Sequence, residues 1–234
     1  MIVGMARRGD ASPYDVTLER GTDGTYLAWV NDLPGCAVRG SSREEVLERL
    51  PAAIGDFLAW TGAADTPLPE VSVVDEVESA IEADEDTEVL VSSDRAPLTE
   101  ESWAETERWL ARSRAELIGV LERLTDDEFG STREGSARTV REEIEHIAFV
   151  ELMYAVWTFD RQSPEGLSEF LAWTRGIAGE RLSALARAGA ADLTSADWSG
   201  APRPEPWTPR KAARRLVWHE LLHLRALERF GRHD

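Results

Sequence analysis

"RKAARRLVWHELLHLRALERF", residues 210–230, decides how the second half of this chain is read. Thr208-Pro209 stands before it, a hydroxyl N-cap followed by proline at the first helical position, and Gly231 follows as a stop. The pattern predicts one helix. Leu216, His219, His223, Leu227 and Phe230 fall on one side of it, with Arg214, Arg215, Arg225 and Arg229 largely opposite. Two imidazoles one turn apart therefore point inward among apolar residues, close enough to share a metal ion.

Upstream segments repeat the helical signal. Thr139 and Glu142 form a capping box that opens "VREEIEHIAFVELMYAVWTF", where His146 shares a face with Phe149, Val150, Met153 and Trp157. Thr99 precedes "EESWAETERWLARSRAELIGVLERL", with Trp103, Leu110, Leu117, Val120, Leu121 and Leu124 as its apolar stripe. Ser163-Pro164 opens a further helix through about residue 188. Four helices of about 20 residues each imply an antiparallel four-helix bundle over residues 98–234.

Three of the four histidines, His146, His219 and His223, thus enter one apolar interior from two helices, while His233 stands one residue from the C-terminus. Neutral imidazoles suit a divalent Zn, Ni, Fe or Co ion, and a three-His site keeps a coordination position for water or substrate. Leaving three buried rings without partners costs on the order of 1–3 kcal/mol each, and one metal satisfies all three. The alternative is that each ring finds a carbonyl or carboxylate, with Glu142 the local partner for His146. Met153 and Trp157 are the expected lining of the apolar approach.

The same stretch matches His-Glu-x-x-His, the zinc-peptidase helix signature. In the extended form a third ligand falls ten residues after His219, where this chain has Arg229, and only 11 residues follow His223. The peptidase reading is therefore set aside. Glu220 turns about 100° from His219 around the helix and is expected to pair with an arginine at the bundle edge. No general base stands out.

Residues 1–93 read differently. "YDVTLER" and "TYLAWV" alternate as strands around the turn "GTDG", and "CAVRG" is a short third strand after "DLPG". Ser42 with Glu45 then caps a helix whose stripe is Val46, Leu50, Ile54, Phe57 and Leu58, with a kink or late start expected at Pro51. Residues 63–98 hold the acidic run "DEVESAIEADEDTE", read as a solvated connector, before "EVLVSS" as a candidate returning strand. The expected architecture is α+β in two domains: a small antiparallel sheet with a helix over 1–93, then the bundle over 98–234.

Composition narrows the function. Net charge is −18, and residues 1–98 hold 20 acidic against seven basic side chains. Such a field repels phosphate backbones, which argues against nucleic acid as a partner. No run approaches the ~18–20 apolar residues of a membrane span, and "MIVGMARRGD" turns polar too soon for a secretory signal. One cysteine, Cys36, allows no intrachain disulfide. A cytoplasmic location is expected. Cys36 itself reads as a small buried residue at a turn.

"TVREEIEHIAFVELMY", "WTP" and "RKAARRLVWHELLHLRALERF" together resemble the DinB-like (DNA-damage-inducible) superfamily. That resemblance covers residues 98–234 and implies a bundle with one histidine on its second helix and a His-x-x-x-His pair on its last, which His146, His219 and His223 match. It implies a divalent metal and a metal-dependent transferase or small hydrolase. A low-molecular-weight thiol as cofactor, a small-molecule substrate and a homodimer are compatible with it. "YDVTLERGTDGTYLAWVNDLPGCAVRG" followed by "SSREEVLERLPAAI" resembles a HicB-like domain, the antitoxin type, over residues 12–92. It implies the competing function: a non-enzymatic, antitoxin-like interaction module for a basic protein partner, with a structural or vestigial metal in the bundle.

Overall fold

The computed structural model describes residues 13–63, 70–79, 89–132, 135–156, 164, 166–190 and 207–230. The chain divides into two compact units, Met1–Arg95 and Ala96–Asp234.

The first unit is a four-stranded sheet with one long helix. Strands β1 (Tyr14–Gly21), β2 (Tyr26–Val30) and β3 (Ala37–Gly40) follow one another, and helix α1 (Arg43–Thr61) leads to β4 (Val71–Ser79). The first three strands pair antiparallel, as alternation predicts. Asp23 holds the β1–β2 turn by accepting from the Thr25 amide and hydroxyl, and Gly24 supplies the positive φ of 86°. The order is β3-β2-β1-β4, and β4 runs parallel to β1. The sheet is therefore mixed, not purely antiparallel. A parallel partner needs a crossover, and α1 provides it.

Strand β4 lies inside what reads as acidic connector. Its sequence, VSVVDEVES, carries enough Val to pair, while Glu76 and Glu78 meet Arg43 and Arg20 near the surface. "EVLVSS" does not return as a strand. Of its described residues, 89–91 are irregular and Ser92 and Ser93 belong to a 3-10 turn at Ser92–Arg95.

Helix α1 packs on β2 and β3. Val46, Leu50, Ile54, Phe57 and Leu58 are its buried residues, the stripe read from sequence. Ser42 accepts from the Glu45 amide, but the Glu45 carboxylate binds the Ser41 amide and hydroxyl, so the cap is not reciprocal. The helix is continuous through Pro51. Strand β1 is buried on both faces: Val16 and Leu18 alternate with Thr17 and Glu19. Glu19 accepts from Trp29 Nε1 at 2.5 Å and from the Ser79 hydroxyl at 3.1 Å.

The second unit is helical. It holds long helices α2 (Glu100–Leu121), α4 (Val140–Ala155), α5 (Leu167–Ala188) and α6 (Pro209–Phe230), with a short α3 (Asp126–Phe129) between α2 and α4. Helices α2 and α4 each pack against both α5 and α6. Helix α5 begins at Leu167 after Gly166, without a side-chain cap, and Ser163 lies outside the described residues. So do Gly231 and His233. Among the described residues no helix is long and apolar enough to cross a membrane.

Candidate metal centre

Helix α4 owes its start to Thr139. The Thr139 hydroxyl accepts from the Glu142 amide at 3.2 Å, and the Glu142 carboxylate returns to the Thr139 amide at 2.8 Å. Those bonds hold the Glu142 carboxyl below its ordinary range, and they commit Glu142 to the cap. It is not the partner of His146. Loss of this cap destabilises the helix that carries His146: Thr139→Ala is expected to cost about 1 kcal/mol, read by denaturant unfolding.

Helix α6 starts as its sequence predicts, Thr208 accepting from the Lys211 amide at 3.1 Å behind Pro209. The expected division of its faces fails in the first turns. Lys211, Arg214 and Arg215 are at most 1% exposed, so this end of the helix is buried all round. Aromatic rings receive two of the three cations, Lys211 and Arg215. Lys211 Nζ lies 4.6 Å from the Trp207 ring centre, and the Arg215 guanidinium lies 4.9 Å from that of Tyr154 and 5.6 Å from that of Trp207. Arg215 also donates to the Tyr154 hydroxyl at 2.8 Å.

Leu216, His219 and Leu227 are buried as read, and nothing is described of the Arg229 and Phe230 side chains. His219 Nε2 lies 3.2 Å from His146 Nε2 and 3.0 Å from His223 Nε2. Ring centres of His146 are 5.0 Å from His219 and 5.1 Å from His223. One nitrogen from each ring falls within 4.8 Å of the others. Two helices do aim three imidazoles at one point.

The cluster fits a divalent ion. Nitrogens bound at ~2.0–2.1 Å in a tetrahedron lie about 3.3 Å apart, close to the 3.0 and 3.2 Å seen here. His219 meets both other rings through the same Nε2, and a proton there can be donated to only one of them well. A cation answers both. Burial, then the His223 and His146 rings, then Arg215 and Arg138 hold His219 well below the usual imidazole range. It is neutral, the form that binds metal. His223 Nδ1 in turn lies 2.7 Å from Glu143 Oε1.

The centre is not sealed. His219 is buried while His146 and His223 are only partly so. Phe149, expected inside beside His146, is 49% exposed, which puts His146 at the border of the buried face of α4. Met153 is half-buried, and Trp157 lies outside the described residues.

Glu220, the middle letter of His-Glu-x-x-His, is not at an edge. It is 2% exposed and accepts from Ser113 at 2.6 Å, Arg114 Nη2 at 2.6 Å and Arg175 Nη2 at 2.6 Å. Glu151 closes the network, bonded to Arg114 at 3.0 Å, Thr174 at 2.8 Å and Arg175. Two guanidiniums and two carboxylates from α2, α4, α5 and α6 thus balance in the interior. Burial pushes the Glu220 carboxyl up, but Arg175 and Arg114 prevail and hold it below its ordinary range.

The DinB superfamily family model matches residues 110–227, just over half of the 234 residues and all three clustered histidines. This chain belongs to the DinB superfamily. No curated protein and no solved structure matches it. DinB membership and the histidine geometry agree on a centre compatible with a divalent metal.

Sequence reading of the DinB unit gave Glu220 an arginine partner but not its burial; it missed Glu143, the second carboxylate Glu151, and the burial of Lys211, Arg214 and Arg215. Arg114 carried a signal, standing between Leu110 and Leu117 on the stripe of α2. A charged residue on an apolar stripe calls for an opposite charge on a neighbouring helix.

Proposed function

We propose that this DinB protein holds one divalent metal on His146, His219 and His223 and uses it in a metal-dependent transfer to or from a low-molecular-weight thiol, or in a small hydrolysis. The observation that carries the reading is the convergence of three Nε2 or Nδ1 atoms within 4.8 Å. A divalent Zn, Ni, Fe or Co ion supplies Lewis acidity that makes a water or thiol nucleophilic near neutral pH. The chain does the rest. Burial keeps His219 neutral, and partial exposure of His146 and His223 gives a small molecule its approach; Met153, half-buried on the same helix as His146, is the apolar residue we assign to that approach. Glu220, clamped by Ser113, Arg114 and Arg175, does not act as a peptidase base. We read the four long helices as the antiparallel bundle of the superfamily, which also suits a homodimer.

Purified protein is expected to carry one divalent ion per chain by elemental analysis, and turnover of a thiol substrate to stop when a chelator removes it. Protein that neither retains metal nor takes up Zn²⁺ on dialysis overturns the proposal.

A second reading concerns the first unit, where 20 acidic residues face seven basic ones over 1–98. Its charge suits a basic protein partner. On that reading the protein is an interaction module and its metal is structural. Protein that binds Zn²⁺, shows no turnover and captures a basic protein in a salt-sensitive way would favour it.

A further inference from the structure

We infer that Glu143 is a positioning residue of the metal centre, its carboxylate fixing the ring orientation and tautomer of His223. The inference rests on the metal reading above and adds a residue to it. Glu143 is 3% exposed, and its Oε1 lies 2.7 Å from His223 Nδ1. With Glu143 ionised its carboxylate only accepts, and the imidazole nitrogen in that contact then carries the proton. In the neutral ring, a proton on Nδ1 leaves the lone pair on Nε2. That is the atom 3.0 Å from His219 Nε2.

The local sequence explains the division of labour. In "TVREEIEH" two glutamates follow each other. Glu142 turns back to cap the helix at Thr139, while Glu143 points about 100° further round, onto the buried side. His146 is three residues on, so Glu143 and His146 stand on neighbouring turns of one face. Helix α4 thereby meets the α6 pair twice. His146 faces the ring of His219 near the shared point, and Glu143 holds His223 from behind.

Burying a carboxylate is costly unless it is paired and hydrogen-bonded. Arg138 Nη1 approaches Glu143 Oε2 only to 4.0 Å, and the Arg138 side chain is half exposed, so that pair contributes little. The contact with His223 is much the shorter, and a divalent ion held by the His223 ring would strengthen it. A carboxylate behind a ligating imidazole also raises the basicity of the ligand.

The test compares wild-type protein with Glu143→Ala and Glu143→Gln, using Zn²⁺ as the probe against a chromophoric chelator. Glu143→Ala is expected to weaken Zn²⁺ binding roughly 10–100-fold. Glu143→Gln keeps part of the affinity, because its amide carbonyl still accepts from Nδ1–H. Nitrogen-15 spectra of the metal-free full chain provide a readout that mere packing does not move. They are expected to show His223 protonated on Nδ1 in wild type and Glu143→Gln, and as a tautomer mixture in Glu143→Ala. Wild type that binds Zn²⁺ while Glu143→Ala binds it equally well overturns the role of Glu143 alone. So does a wild-type His223 with its proton on Nε2. A wild-type protein that takes up no Zn²⁺ overturns the metal reading and this inference with it. Should Glu143→Ala fail to fold, the wild-type tautomer and the Glu143→Gln affinity decide.

Discussion

Glu220→Ala is expected to destabilise the helical unit by about 3–5 kcal/mol, the range measured when one partner of a buried ion pair is removed. At roughly 2–4 °C per kcal/mol for a chain of this size, the unfolding midpoint falls by about 10 °C. The cause is what remains. Arg114 and Arg175 keep carbonyl contacts, to Leu171 and Leu110 respectively, but two guanidiniums, one buried and one partly so, are left to share the single carboxylate of Glu151. Ser113 loses its acceptor as well. Denaturant unfolding followed by far-UV circular dichroism measures the loss. A cost below about 1 kcal/mol, the range of exposed pairs, would mean that the network is not desolvated as described.

His219→Ala carries the largest expected effect on metal. His219 is the central ring, within 3.2 Å of both others through one nitrogen, so its loss leaves two imidazoles with no nitrogen between them. Affinity for Zn²⁺ should fall by more than the roughly 10–100-fold that an outer partner costs. Thermal shift shows the same effect through linkage. Zn²⁺ at about a thousand times its dissociation constant stabilises the wild type by about 4 kcal/mol, and the variant gains almost nothing at that concentration. Equal metal content in the two proteins, by elemental analysis, would remove the centre proposed here.

The site was more legible than its surroundings. His219 and His223 could be placed because an i, i+4 pair on an apolar stripe has one direction to face, and His146 because the Thr139 cap fixes the phase of α4. Those are local rules. What escaped was settled between helices. Nothing within "RKAARR" says that Arg214 and Arg215 lie inward, since the rings that receive Arg215 belong to Tyr154, Trp207 and Trp218. Glu143 was hidden by its neighbour, because the capping box accounts for one glutamate and draws attention from the next. In the first unit, charge masked strand β4: a run of Asp and Glu reads as solvated chain, yet pairing with β1 needs only that alternate residues fit. Local patterning likewise says nothing about whether that strand runs parallel or antiparallel.

Strand β4 also has a bearing on solubility. It ends the described sheet on one side, beyond β1, where an uncovered row of amides and carbonyls would invite another chain to add on. Its register slips between Val73 and Asp75, so that Val74 is displaced from the ladder and 48% exposed. Past that irregularity Asp75, Glu76 and Glu78 follow along the strand. A bulged border that carries charged side chains is a poor template for an identical border on a second molecule. The register slip, with Arg20 and Arg43 drawn onto Glu78 and Glu76 beside it, thus works against edge-to-edge pairing, a task that requires no dedicated partner.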